Sequence, residues 1–165
     1  MNEKLDQRMV ELLTRLTERS DYSEIHGHAS GDRRMKEYEA KVTGNRDTGR
    51  WRIESTDGLT EFTPENSQIT YSNTAPATVY ALTHQVPTEV GLLFPLRLPV
   101  WGRRRDTWEP IMVEDNGAGE QIVYLRGMFD RSMSASVVLD TKYSVARLLI
   151  TPHEAHALRD YKPAS

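Results

Sequence analysis

The chain contains no cysteine, which removes disulfides, thiolate catalysis and cysteine-ligated zinc. It also lacks a long unbroken apolar run. The most apolar stretch, residues 86–101, is interrupted by Pro87, Glu89, Pro95, Arg97 and Pro99, so it supplies no membrane-spanning helix of roughly 20 residues. Residues 1–19 place Glu3, Asp6, Glu11 and Glu18 among their apolar positions, whereas a secretory signal needs a basic start and a continuous apolar stretch. Cytoplasmic residence is the resulting expectation. Charge of one sign is missing too: 21 Lys and Arg against 24 Asp and Glu give a net charge of −3, without the basic domain expected of a nucleic-acid binder. There is no Gly-x-Ser-x-Gly elbow and no glycine loop of the kind that cradles phosphate. The expectation is a protein without catalytic residues, cofactor or bound metal.

What remains is a chain of 165 residues, 38% apolar and 27% charged. That length suits one domain over residues 1–165, and that polarity suits strands with one wet face. Leu5, Met9, Leu12, Leu13 and Leu16 recur every three or four positions, which predicts a one-faced helix over 2–19. From Tyr22 the period falls to two. Ile25, Gly27 and Ala29 alternate with Glu24, His26 and His28; Tyr38, Ala40 and Val42 alternate with Glu37, Glu39 and Lys41; Trp51 and Ile53 continue the pattern. Each segment reads as a strand with one buried face. Turn-forming residues at 44–49, 57–58 and 64–66 separate them at intervals that favour antiparallel neighbours.

The alternation resumes at 108–114, 121–128, 134–139 and 144–150, with turns at 116–119 and 140–142. Ile122-Val123-Tyr124-Leu125 is apolar at every position, which predicts that these later strands lie near the centre of the sheet. Thr151-Pro152-His153-Glu154 has the threonine, proline and glutamate of a helix start, predicting a short C-terminal helix that ends before Tyr161. The fold class is α+β: an N-terminal helix packed on a strongly curved antiparallel sheet, a mid-chain cover at 86–102, and a short C-terminal helix. The cover's prolines forbid a long helix and its apolar content forbids full exposure.

A leading helix, hairpins through Arg50-Trp51-Arg52-Ile53-Glu54 and Asp57-Gly58, an apolar mid-chain cover and closing strands through Val137-Val138-Leu139-Asp140 follow one another. In this order the chain resembles the superfamily of bacterial lipoprotein-localisation factors, the LolA/LolB-like fold. The resemblance implies an incomplete barrel, or half-barrel, whose concave side holds acyl chains. It places Leu92, Leu93, Phe94, Leu96, Leu98 and Trp101 on or near that cavity. Lipid-anchored relatives need a lipobox cysteine, which this chain lacks.

Three clusters carry candidate chemistry. His26 with His28 on one strand face, and His153 with His156 three apart on the expected helix, have zinc-compatible spacing, but solvated faces explain them without a metal. Glu37 and Glu39 share a strand face as acid–base pairs sometimes do, but solvated charges on a wet sheet face explain them more simply. Arg103, Arg104 and Arg105, flanked by Trp101 and Trp108, would suit an anionic head group at the mouth of an apolar site; the other reading is a charged loop. The functional expectation is a non-catalytic binding protein. It would hold a lipid or other hydrophobic small molecule between sheet and cover, lined by the six cover residues with Arg103, Arg104, Arg105 and Trp108. The alternative is a regulatory module with a packed interior and a protein partner. Neither reading invokes nucleic acid or a membrane span.

Overall fold

The computed structural model describes residues 3–18, 22–72, 77–78 and 86–164. The first helix, α1, spans Glu3–Thr17; positions 2 and 19 of the expected helix lie outside the described residues. Its apolar stripe does what the spacing demands: Leu12 and Leu16 are buried, and Leu5 and Met9 pack on the same core. Glu3 and Asp6 in the first turn and Arg15 in the last match the helix dipole.

Six strands follow: β1 (Glu24–Arg33), β2 (Lys36–Asn45), β3 (Trp51–Ser55), β4 (Gly58–Thr63), β5 (Gln68–Tyr71) and β6 (Ala77–Thr78). The cover comes next, as a short helix α2 (Thr88–Leu93) and a 3-10 turn (Pro95–Arg97). Five more strands close the chain: β7 (Trp108–Gly117), β8 (Glu120–Gly127), β9 (Ser134–Asp140), β10 (Val145–Ile150) and β11 (Glu154–Pro163). All belong to one sheet of order β6-β5-β4-β3-β2-β1-β11-β10-β9-β8-β7. Every neighbouring pair is antiparallel. The sheet is open, with β6 and β7 at its edges, and forms a half-barrel around the helices. In chain order it is two meanders: β1–β6 runs outward from the middle to one edge, and β7–β11 runs from the other edge back to the middle, where β11 pairs with β1.

The inner face carries the alternating apolar residues of both meanders. Ile25 and Ala29, Ala40 and Val42, Trp51 and Ile53, Val123 and Leu125, Val137 and Leu139 are all buried. Onto this face the cover packs α2, which touches β1, β2, β3, β10 and β11. Val90, Leu92 and Leu93 are fully enclosed, and Glu89 in the first turn is buried against Arg33. Close seating needs a bare backbone below: a Cβ on Gly44 would lie 2.5 Å from the Phe94 ring.

Two expectations fail. Residues 154–163 form a strand, not a helix. Thr151 uses its capping chemistry to close the β10–β11 turn, its Oγ1 accepting from Glu154 N at 3.1 Å, while its amide donates to Glu154 O at 2.8 Å. Beyond the turn, buried His156 and Leu158 alternate with more exposed Ala157 and Arg159, and the pairing with β1 outweighs the local helix signal. The sheet's centre is also not in the later strands: the middle position belongs to β1. The apolar excess of β8 to β10 lies on the outer face, where Ile122 stands opposite Val138 and Val138 opposite Leu148.

The β1–β11 junction has little tolerance. A Cβ on Gly31 would lie 2.0 Å from the Ala155 carbonyl oxygen. Gly31→Ala is therefore expected to destabilise the protein by about 3 kcal/mol, read as a lower urea midpoint. An unchanged midpoint would contradict the role assigned to this junction.

Candidate functional site

Two places on the inner face bring polar and apolar chemistry together. The first spans the junction of the meanders. Gly31 stands opposite Tyr38 on one side and His156 on the other, and its missing side chain lets these two meet. With its proton on Nε2, the His156 ring donates to Glu154 Oε2 at 3.1 Å and accepts from the Tyr38 hydroxyl at Nδ1, 2.7 Å away. Beside them Arg33 donates to Glu89 Oε1 at 2.9 Å and lies over the Tyr38 ring.

A carboxylate, an imidazole and a hydroxyl in sequence have the connectivity of a proton relay. Here the hydroxyl is a poor nucleophile. Burial first, and then the charge of Glu89, push the Tyr38 phenol above its ordinary value, while His156 is only 1% exposed. The arrangement works as a hydrogen-bonded tie across three strands. His156 thus lies on a buried strand, not on the exposed helix face expected for it, and His153 is in the exposed turn before that strand. His26 and His28 alternate with the buried residues of β1 and so belong to the outer face. Among the described residues no group of three or more His, Asp or Glu is placed to hold a metal ion.

The second place is an open cleft of about 580 Å³ at the opposite end of the sheet. One wall is the later half of the cover, Leu93 to Arg97. The other sides come from the end of α1 at Leu16, Tyr22 and Ser23 just before β1, and the β2–β3 turn at Asn45 to Asp47. The turn is shaped locally: Asn45 Oδ1 accepts from the amides of Asp47 and Thr48, each at 3.0 Å.

Arg46 anchors this turn to the far meander, donating from Nη2 to the carbonyls of Tyr143 and Ser144 at 2.7 Å each. Its guanidinium lies 4.9 Å from the Tyr22 ring centroid. Burial lowers the Arg46 pKa, with Tyr22 acting in the opposite direction. Tyr22 donates its hydroxyl to Tyr143 O, and Tyr143 meets Tyr161 edge to face. Tyr161 in turn donates to Asp140 Oδ2 at 2.7 Å. The cleft therefore has one largely apolar wall, Leu93 to Leu96, facing the polar Asn45–Asp47 turn, which Arg46 braces against Tyr143 and Ser144.

The structure divides the residues expected to bind ligand. Leu93, Phe94 and Leu96 line the cleft. Leu92 and Leu98 are enclosed in the core with Trp108, and Trp101 packs against it. Arg103, Arg104 and Arg105 are exposed in the loop before β7 and do not line the cleft. Sequence reasoning does not find Leu16, Tyr22 and Arg46, because all three lie far along the chain from the cover at 93–97 that they face. The one local hint was the polar turn at 44–49.

No family model matches the chain, and no curated protein matches it. Solved structures of similar layout include an uncharacterised conserved protein from Thermus thermophilus, with TM-score 0.49 and 8% identity over 96% of this chain and 89% of that one. Another is MucB, with TM-score 0.46 and 13% identity over 96% of this chain. The chain spans 60% of that MucB structure. A further structure, of TM-score 0.46 and 13% identity, is the MucA/MucB complex of Pseudomonas aeruginosa, where the match covers 94% of this chain and 56% of that one. Identities this low leave ligand and partner open. No helix among the described residues is long and apolar enough to cross a membrane.

The ties make a prediction for alkaline pH. Tyr38 and Tyr161 are both shifted above the ordinary tyrosine value, chiefly by burial, with the Asp140 hydrogen bond adding to the effect at Tyr161. A phenol that keeps its proton longer in the folded state stabilises fully below its unfolded pKa of about 10 and loses that contribution as pH rises through the folded value. Stability should therefore fall above about pH 10, and Tyr38→Phe should make the fall shallower in urea titrations. The same slope in the variant and the native chain would refute the assignment.

Proposed function

We propose that the chain is a LolA/LolB-like half-barrel that acts as a non-catalytic binding protein, taking an apolar or amphipathic ligand into the cleft beside its cover. The observation that carries this reading is the cleft itself. Its volume of about 580 Å³ falls within the roughly 300–1,000 Å³ typical of small-molecule sites. Leu16, Leu93, Phe94, Pro95 and Leu96 supply the apolar lining, and Tyr22, Asn45, Arg46 and Arg97 the polar one. The ligand would enter at the end of the half-barrel, since Val90, Leu92 and Leu93 fill the space between cover and sheet.

Titration with a dansyl-labelled fatty acid tests this. The native chain should bind the probe, and Leu96→Glu, which puts a charge on the half-buried cleft wall, should weaken binding at least tenfold, about 1.4 kcal/mol, with the urea midpoint nearly unchanged. Absence of probe binding by the native chain, joined to a ligand-free extract by mass spectrometry, would end the proposal.

A second reading, an interaction module for a protein partner, is favoured by the outer face. Met112 and Ile150 are 48% and 47% exposed. Met112 stands opposite Tyr124, Tyr124 opposite Ser136, and Ser136 opposite Ile150. Ile122, Val138 and Leu148 form the adjoining row. On this reading one specific partner co-purifies, is lost in the Met112→Glu/Ile150→Glu double variant and is retained by Leu96→Glu. Retention by the double variant would dismiss this face as the interface.

A further inference from the structure

The wall of the cleft formed by the 3-10 turn at Pro95–Arg97 has almost no regular structure to hold it. A single turn leaves carbonyls at its end that need partners from elsewhere. They find them in one short loop. Arg103 donates from Nη1 to Leu96 O at 2.8 Å and from Nη2 to Leu98 O at 2.7 Å. Trp101 donates its indole N–H to Pro95 O at 2.8 Å.

Arg103 is itself held. Asp106, only 5% exposed, accepts at Oδ2 from Arg103 Nε at 2.9 Å, from the Arg103 amide at 3.1 Å and from the Trp101 amide at 3.0 Å. The Asp106 amide closes the loop by donating to Arg103 O at 2.9 Å. A planar guanidinium whose third side is pinned by a carboxylate presents its remaining N–H groups in a fixed fork. That fork meets two carbonyls of one turn.

We infer that Arg103 and Asp106 are positioning residues of the cleft: their ion pair clasps the carbonyls of the Pro95–Leu98 turn and so fixes the wall that Phe94, Pro95 and Leu96 present to a ligand. This inference rests on the cleft being a binding site, and it assigns neighbouring arginines different roles. Arg103 holds the carbonyls of Leu96 and Leu98, whereas Arg104 is exposed in the same loop.

Hydrogen–deuterium exchange reads the clasp without any ligand. In Arg103→Ala and Asp106→Asn, peptides covering residues 94–98 should exchange at least tenfold faster, with β8 and β9 at native rates. Arg103→Lys should recover part of the protection through its ammonium donors, and Arg104→Ala should match the native chain. Native-rate exchange at 94–98 in Arg103→Ala and Asp106→Asn, or acceleration spread evenly over the sheet, would overturn the inference. Titration with the dansyl-labelled fatty acid then reads the consequence: at least tenfold weaker binding in Arg103→Ala and native affinity in Arg104→Ala. Equal weakening in both would make the arginines ligand contacts and overturn it as well. If the native chain takes up no probe, the cleft reading fails, and the role of positioning a binding wall falls with it even where exchange shows the clasp intact.

Discussion

Everything in this fold depends on the pairing of β1 with β11. Each of the two meanders is built from near neighbours along the chain, and such hairpins form readily. Their union is different in kind, because it joins residues 24–33 to residues 154–163 across almost the whole sequence. Gly31 permits the approach, and buried hydrogen bonds secure it near both ends. At one end Tyr38 of β2 reaches His156 and Glu154 of β11 across Gly31 of β1. At the other, Tyr22, Arg46 and Tyr161 fasten β1, the β2–β3 turn and β11 to the β9–β10 region. Lose this pairing and the inner face no longer exists as one surface for the cover to fill.

The cover explains why the cleft lies where it does. Burying Val90, Leu92 and Leu93 completely supplies apolar stabilisation that a hollow barrel would forgo. It also removes the space that a ligand would occupy under α2. Among the described residues, the larger cleft lies where the cover thins into the Pro95–Arg97 turn near the end of α1. The same segment is thus core in its first half and cleft wall in its second, and the change falls at Phe94, which seats against Gly44 and still reaches the cleft.

The periodic elements were legible in the sequence because their signals are local. Leucines at helical spacing in α1 and alternation in β1, β2 and β3 each state which face is buried within a few residues. The 154–163 segment was not legible for the opposite reason. Thr151-Pro152-His153-Glu154 satisfies a helix cap and a hairpin turn with similar hydrogen bonds, and the choice is made by β1, more than a hundred residues earlier. The cover was identified by its prolines and apolar content, yet its sequence does not distinguish Leu92, enclosed in the core, from Leu96 on the cleft. Arg103 shows the deeper difficulty: its partners are backbone carbonyls, which carry no sequence signature. Three adjacent arginines read as a charged patch, and only their surroundings separate a clasp from exposed charge.

The central claim is that an apolar ligand enters at the end of the half-barrel and not beneath the cover. Amide shift mapping by NMR with dodecanoate addresses it directly. Shifts are expected at Leu16, Tyr22, the 45–47 turn and Phe94 to Arg97, with Val123 and Leu139 of the sheet interior unmoved. Shifts centred on Met112, Tyr124 and Ile150 of the outer face, or no saturable shifts at all, would contradict it.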